Sequence, residues 1–327
     1  MYKKIIIRCD AGKIAELGTG HLYRCITLYL LLKKKFKLKK KDILFLIKTS
    51  GKYSITKKIL SEKNILYQSV DEKIKDYSFK EVNLINKFSS KLLIIDRLGK
   101  INKKFINNIK RNHKKIVLFD DSSNCRNLVN LAINPLITKV KKIKKTFVGY
   151  KYNIIPSFLA NYKKKSIKGK NLNIFLSFGG FDNKNLTFKA INYLKKSSHK
   201  YNLFLNKRLK KIVKDKKKIT FFDSRDYYKN LINSDLVFSA GGLSMFDAIF
   251  LKKIVVCIPQ YKHQNENINI LNKKRIVYKL SIKDMNKMDY ILGEILKKKV
   301  RNLNKRNMII NSKSIFKTLK LIYKQYD

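Results

Sequence analysis

Short β-branched runs alternate with longer amphipathic segments, and they do so twice. This rhythm restricts the fold more than any other feature of the chain. Residues 4–8, 43–47, 92–95 and 116–119 read as strands, and stretches such as 22–33 and 80–88 carry helical periodicity. The pattern then restarts, with strands expected at 172–176, 201–205, 219–222, 236–238 and 254–258. Strand–helix alternation implies parallel sheets covered on both faces by helices, an α/β chain of two Rossmann-like halves. The connector is expected near residues 152–170, where Pro156 precedes Lys163-Lys164-Lys165 and Gly169. The halves are accordingly drawn as 1–155 and 170–327, which suits a chain of 327 residues. Ligands of such sheets bind beyond the carboxyl ends of the strands, so two domains predict a cleft between them.

Charge narrows the function classes. Lys and Arg number 76 against 22 Asp and Glu, a formal net charge of +54. Only ten of the 76 are Arg, and the basic residues run along the whole chain instead of forming one block. Arg is the side chain that reads base edges bidentately, so no specific nucleic-acid partner is expected. Abundant Lys, Ile and Asn with no Trp read as compositional drift. The electrostatic roles left are attraction of an anionic nucleotide substrate and peripheral association with an anionic membrane. No apolar run approaches the ~18 residues that span a bilayer, so no integral membrane contact is expected. Met1 leads directly into a strand-like run without a secretory pattern, and the expected compartment is the cytoplasm. The scattered Cys9, Cys25, Cys125 and Cys257 suggest buried thiols, with neither a zinc site nor a disulfide framework. His113 and His199 lie in Lys-rich loops, and no ligand spacing points to a metal or other cofactor.

Four loops stand out. The first, residues 10–24, reads D-A-G-K-I-A-E-L-G-T-G-H-L-Y-R and follows the first strand. Gly18 and Gly20 allow close backbone approach to a ligand, and a helix is expected to begin near His21. His21 and Arg24 are three apart and so share one face of its first turn. A neutral imidazole there serves as a general base, with Asp10 as a candidate to orient the ring. The second loop is Leu176-Ser177-Phe178-Gly179-Gly180. The third, Ser239-Ala240-Gly241-Gly242-Leu243-Ser244, leads into a helix carrying Asp247. A glycine pair before a helix leaves N–H groups aimed at an anion, which suits a diphosphate, and Asp247 is placed to accept from ribose hydroxyls. The fourth is the polar loop 258–267, with His263 and Gln264.

Together and in this order, the loops resemble the UDP-sugar hydrolases of pseudaminic acid biosynthesis and related spore-coat polysaccharide proteins. The matching segments are Gly18-Thr19-Gly20-His21-Leu22-Tyr23-Arg24, Leu93-Ile94-Ile95-Asp96, Phe119-Asp120-Asp121, Val148-Gly149-Tyr150-Lys151-Tyr152, Gly179-Gly180-Phe181-Asp182-Asn183-Lys184-Asn185-Leu186-Thr187 and the 239–247 turn. The resemblance implies a GT-B fold and metal-independent, inverting hydrolysis of UDP-2,4-diacetamido-2,4,6-trideoxy-β-L-altropyranose to the free sugar and UDP. It implies His21 as the catalytic residue. Implied for substrate binding are Asp10, Gly18, Gly20, Arg24, Asp96, Gly179, Gly180, Gly241, Gly242, Leu243, Ser244, Asp247, His263 and Gln264. The chain departs from the family pattern at Arg97 and Leu98, where a His or Ser and then a Tyr are usual. It also has Asp247 in place of Glu, and His263-Gln264 in place of Asn-Gln. The competing expectations are a GT-B glycosyltransferase, in which the same His deprotonates an acceptor hydroxyl, and a basic nucleic-acid-binding protein.

Overall fold

Runs such as Ile5-Ile6-Ile7 and Leu92-Leu93-Ile94-Ile95 have no polar alternation, so both faces of their strands must be covered. A computed structural model shows this arrangement. It describes residues 1–14, 17–97, 100–136, 139–141, 143–161, 171–211, 213, 218–297, 310 and 312–327. Two compact units emerge, one of residues 1–157 with 310–327 and the other of 158–309.

The first unit is built on β1 (Tyr2–Cys9), β2 (Ile43–Lys48), β3 (Tyr67–Val70), β4 (Ser89–Asp96), β5 (His113–Phe119), β6 (Leu131–Asn134) and β7 (Thr146–Val148). All pairings are parallel, in the order β3-β2-β1-β4-β5-β6-β7. Helices α1 (Gly20–Lys35), α2 (Ser54–Glu62), α3 (Phe79–Asn86) and α4 (Lys103–Ile109) alternate with the strands. The order reverses between β1 and β4, whose last residues Cys9 and Asp96 are register partners. That reversal is the switch point where open α/β sheets place ligands.

The second unit repeats the scheme with β8 (Leu172–Ser177), β9 (Tyr201–Asn206), β10 (Ile219–Phe222), β11 (Leu236–Ser239), β12 (Ile254–Cys257) and β13 (Tyr278–Lys279). Its parallel order is β10-β9-β8-β11-β12-β13, and Ser177 and Ser239 are partners at the switch point. Its helices are α5 (Leu186–Lys195), α6 (Tyr227–Asn233), α7 (Leu243–Phe250), α8 (Lys262–Lys273) and α9 (Met288–Leu296). The expected α/β architecture of two parallel-sheet units is thus present.

The expected span 170–327 needs a correction at its end. The last helix, Ser312–Tyr326, belongs to the first unit, where Tyr323 and Tyr326 pack on Phe36 at centroid distances of 5.4 and 4.2 Å. The expected connector lies in part outside the described residues. Among the described residues, no helix is long and apolar enough to cross a membrane.

Candidate functional site

Gly18 adopts φ +55°, a value open to glycine at little cost, and the chain then enters α1 at Gly20. His21 and Arg24 therefore emerge on the first turn, beside the end of β4. The His21 Nδ1 lies 2.6 Å from Asp96 Oδ1. Arg24 grips the same carboxylate with two nitrogens, Nε to Oδ2 at 2.7 Å and Nη2 to Oδ1 at 2.6 Å. Its third nitrogen, Nη1, donates to Asp120 Oδ2 at 2.6 Å, and the guanidinium carbon sits 5.0 Å from the Phe119 ring centroid. Cys25 Sγ donates to Asp96 Oδ2 at 3.5 Å.

These contacts decide the charge states. Burial alone would raise the Asp96 carboxyl, but the Arg24 charge and the hydrogen bonds from Arg24 and His21 outweigh it and hold the group well below the usual carboxylate range. Burial likewise disfavours the Arg24 cation, and Asp96 with Asp120 more than restores it. With an ionised carboxylate 2.6 Å from Nδ1, the imidazole proton is assigned to Nδ1 and Nε2 is left as the acceptor. The ring is 8% exposed, so the pair is sheltered but still reachable.

Asp96, and not Asp10, orients the ring, which corrects the sequence expectation. Asp10 joins a separate buried cluster. Its Oδ1 accepts from Arg8 Nη1 at 2.6 Å and from the Lys48 backbone N–H at 3.0 Å. Arg8 Nε donates to Glu81 at 2.8 Å, and Arg97 grips both Glu81 oxygens at 2.6 and 3.1 Å. Opposing guanidinium charges outweigh burial and pull the Glu81 carboxyl down to about 2. Sequence reading gave Arg8, Glu81 and Asp120 no role. The one available signal was a charged residue, Arg8, set directly after the apolar run Ile5-Ile6-Ile7.

The second unit presents backbone where the first presents side chains. Gly179 and Gly241 take φ +94° and +93° after β8 and β11. Arg208 donates to the carbonyls of Gly180 and Gly179 at 2.7 and 2.9 Å, bracing that turn. The Gly241 N–H turns back to Ser239 Oγ at 3.3 Å, so it is not free for a ligand. The amides of Gly242, Leu243 and Ser244 open the N-terminus of α7, which no side chain caps. Burial pushes the Asp247 carboxyl, one turn on, up to about 7, and among the described residues its side chain accepts only from the Tyr228 hydroxyl at 3.3 Å.

Two of the loops hold the starts of their own helices. Asp182 caps α5 by accepting from the N–H groups of Leu186 and Thr187 at 2.8 and 2.6 Å. The Gln264 carbonyl oxygen accepts from the N–H groups of Gln260 and Tyr261 at 2.9 and 3.2 Å, closing the start of α8. His263 stacks on Tyr261 with ring centroids 6.0 Å apart. Among the described residues, no group of three or more His, Cys, Asp and Glu side chains is placed to hold a metal ion.

No protein-family model matches the chain. An uncharacterized protein of Methanocaldococcus jannaschii is 28% identical over 299 residues, covering 80% of this chain and 57% of that protein. The chain thus spans little more than half the length of this curated relative. Among solved structures, the chain is similar to a putative UDP-N-acetylglucosamine 2-epimerase from Listeria monocytogenes, with TM-score 0.62, 12% identity and coverage of 100% and 97%. It is also similar to the UDP-GlcNAc 2-epimerase from Neisseria meningitidis bound to UDP-GlcNAc, with TM-score 0.61, 10% identity and 99% coverage of each chain. A spinosyn rhamnosyltransferase complexed with thymidine diphosphate gives TM-score 0.60 at 10% identity, covering 99% and 100%. The fold is GT-B.

Proposed function

We propose that the protein is an enzyme acting on a UDP-sugar, and that it hydrolyses a UDP-linked 2,4-diacetamido-trideoxy sugar to the free sugar and UDP. The observation that carries the reading is the His21–Asp96 pair, in which the carboxylate fixes the proton on Nδ1 and presents Nε2 as a base. Nε2 takes a proton from water as the water oxygen bonds to the anomeric carbon. The bond from that carbon to the diphosphate oxygen breaks, the electron pair leaves with UDP, and the anomeric centre inverts. A diphosphate is a good leaving group, so charge stabilisation takes the place of the second carboxylate of ordinary glycosidases. The amides of Gly242, Leu243 and Ser244 are assigned that task, with Gly179 and Gly180 approaching the nucleotide and Asp247 accepting from ribose. Arg24 maintains the Asp96 charge that orients the imidazole.

Likeness in fold to glycosyltransferases supports a second reading, in which Nε2 deprotonates an acceptor hydroxyl. Incubation with UDP-sugars, without and with candidate acceptors, separates the two. UDP release without acceptor is expected. Release that depends strictly on an acceptor would replace the hydrolase by the transferase, and no release with any UDP-sugar would remove both.

A further inference from the structure

Two donors share one oxygen in the site of the first unit. His21 Nδ1 and Arg24 Nη2 each lie 2.6 Å from Asp96 Oδ1, and they are 3.4 Å from each other. How much of that oxygen is left to the imidazole therefore depends on where the guanidinium sits. A shift of Arg24 toward the ring would fill Oδ1 and loosen its bond to Nδ1.

The guanidinium is fixed from another strand. Asp120 directly follows β5 and is 3% exposed. Its Oδ2 accepts at 2.6 Å from Arg24 Nη1, the nitrogen that Asp96 does not use. Its Oδ1 accepts from the Leu136 N–H at 2.8 Å, and its own N–H donates to the Ile133 carbonyl at 3.0 Å. The carboxylate is thus tied to β6 and to the chain that leaves it. The Asp120 backbone takes φ +47°, a left-handed value uncommon outside glycine, and such angles persist where the surroundings hold them.

We propose that Asp120 is a positioning residue for His21 and acts through Arg24. By holding Nη1 it stretches the guanidinium between two carboxylates and keeps Nη2 from crowding Asp96 Oδ1. By taking a share of the Arg24 charge it leaves more of the Asp96 charge to the imidazole. Both effects keep the ring proton on Nδ1 and Nε2 as the acceptor. Asp120 works at two removes, along the chain Asp120–Arg24–Asp96–His21. The inference deepens the UDP-sugar reading and rests on it only for the reaction in which Nε2 takes part.

The test uses the full chain labelled with heavy nitrogen at histidine, whose long-range proton–nitrogen NMR spectra report the His21 tautomer without any substrate. His21→Asn assigns the signal. Asparagine and glycine both accept a left-handed φ, so Asp120→Asn and Asp120→Gly remove the charge without adding backbone strain. Wild-type His21 is expected to hold its proton on Nδ1, and both variants to show a mixture of the Nδ1–H and Nε2–H forms. UDP release by the variants should lose about 10-fold in kcat with KM unchanged, less than the loss on removing the base itself. Identical spectra in wild type and both variants, a wild-type proton on Nε2, or a loss carried by KM overturns the inference. A tautomer change in the variants, together with a wild type that turns over no UDP-sugar, sustains the positioning role and sinks the UDP-sugar reading.

Discussion

At the carboxyl ends of β1, β4 and β5 the first unit carries Asp10, Asp96, Arg97 and Asp120, all buried, with Arg24 reaching in from α1. At the equivalent ends of β8 and β11 the second unit carries Phe178-Gly179-Gly180 and Ala240-Gly241-Gly242, with Asp247 as the buried charge-bearing group nearby. The strand orders correspond, so topology fixes where each site lies and leaves its chemistry free. The first site is made of ionised side chains that hold one another's charge states. The second is made of main-chain amides whose placement depends on backbone angles. The first should fail when a charge loses its partner, and the second when a backbone angle or a single burial is disturbed.

Cutting the ion-pair web should give the largest effect. Arg24→Leu takes the bidentate guanidinium away from the buried Asp96 carboxylate, at a cost of about 3–5 kcal/mol. Hydrogen exchange at β4 and β5 amides should accelerate accordingly, while β8 and β11 amides keep their protection. Unchanged protection in β4 would show that the first site is not held by charge.

Next in size, His21→Asn should fold normally and lose at least ~10²-fold in UDP release. Asparagine keeps a donor toward Asp96 but supplies no base, so retained turnover would take His21 out of the mechanism.

Asp247 tests the second unit through pH. Its folded carboxyl titrates near 7 against an ordinary value of 3.8, so the unfolded chain gives up its proton first. The stability it contributes is full below about pH 4 and is lost as pH rises through 7. Unfolding free energies from urea titration at pH 5 and pH 8 should differ by about 3 kcal/mol more in the wild type than in Asp247→Asn. No difference between the two proteins would mean that Asp247 is charged when folded.

The smallest effect separates adjacent glycines. Gly241 has φ +93°, and an added Cβ would meet Ile268 Cδ1 at 2.7 Å, whereas a Cβ on Gly242 meets nothing within 4 Å. Gly241→Ala should cost on the order of 1 kcal/mol or more in thermal unfolding, and Gly242→Ala much less. Equal losses would show that the turn tolerates either geometry.

The buried strands were legible because a parallel strand covered on both faces leaves a continuous apolar run, as in Ile43–Lys48 and Ile254–Cys257. Edge strands β3, β7 and β13 were not, since Tyr67–Val70 is polar and the other two span only three and two residues. The His21–Arg24 spacing announced a shared helical face directly. The partner of His21 could not be read this way, because it depends on strand register. Asp10 is closer in sequence, but the pairing of Cys9 with Asp96 sets Asp96 at the sheet's edge beside α1. The cluster of Arg8, Glu81 and Arg97 was hidden for the same reason, with partners 73 positions apart brought together by tertiary packing alone.

The first unit is interrupted in sequence by the whole of the second. During synthesis the ribosome must therefore deliver all of the intervening unit before the helix Ser312–Tyr326 exists to cover its neighbours. Until then Phe36 lacks Tyr323 and Tyr326, and Lys91 lacks the Tyr326 ring, 4.6 Å away in the finished protein. The nascent chain thus carries a sticky, unfinished surface while the whole second unit is made, which marks this face as the one a chaperone would have to shield.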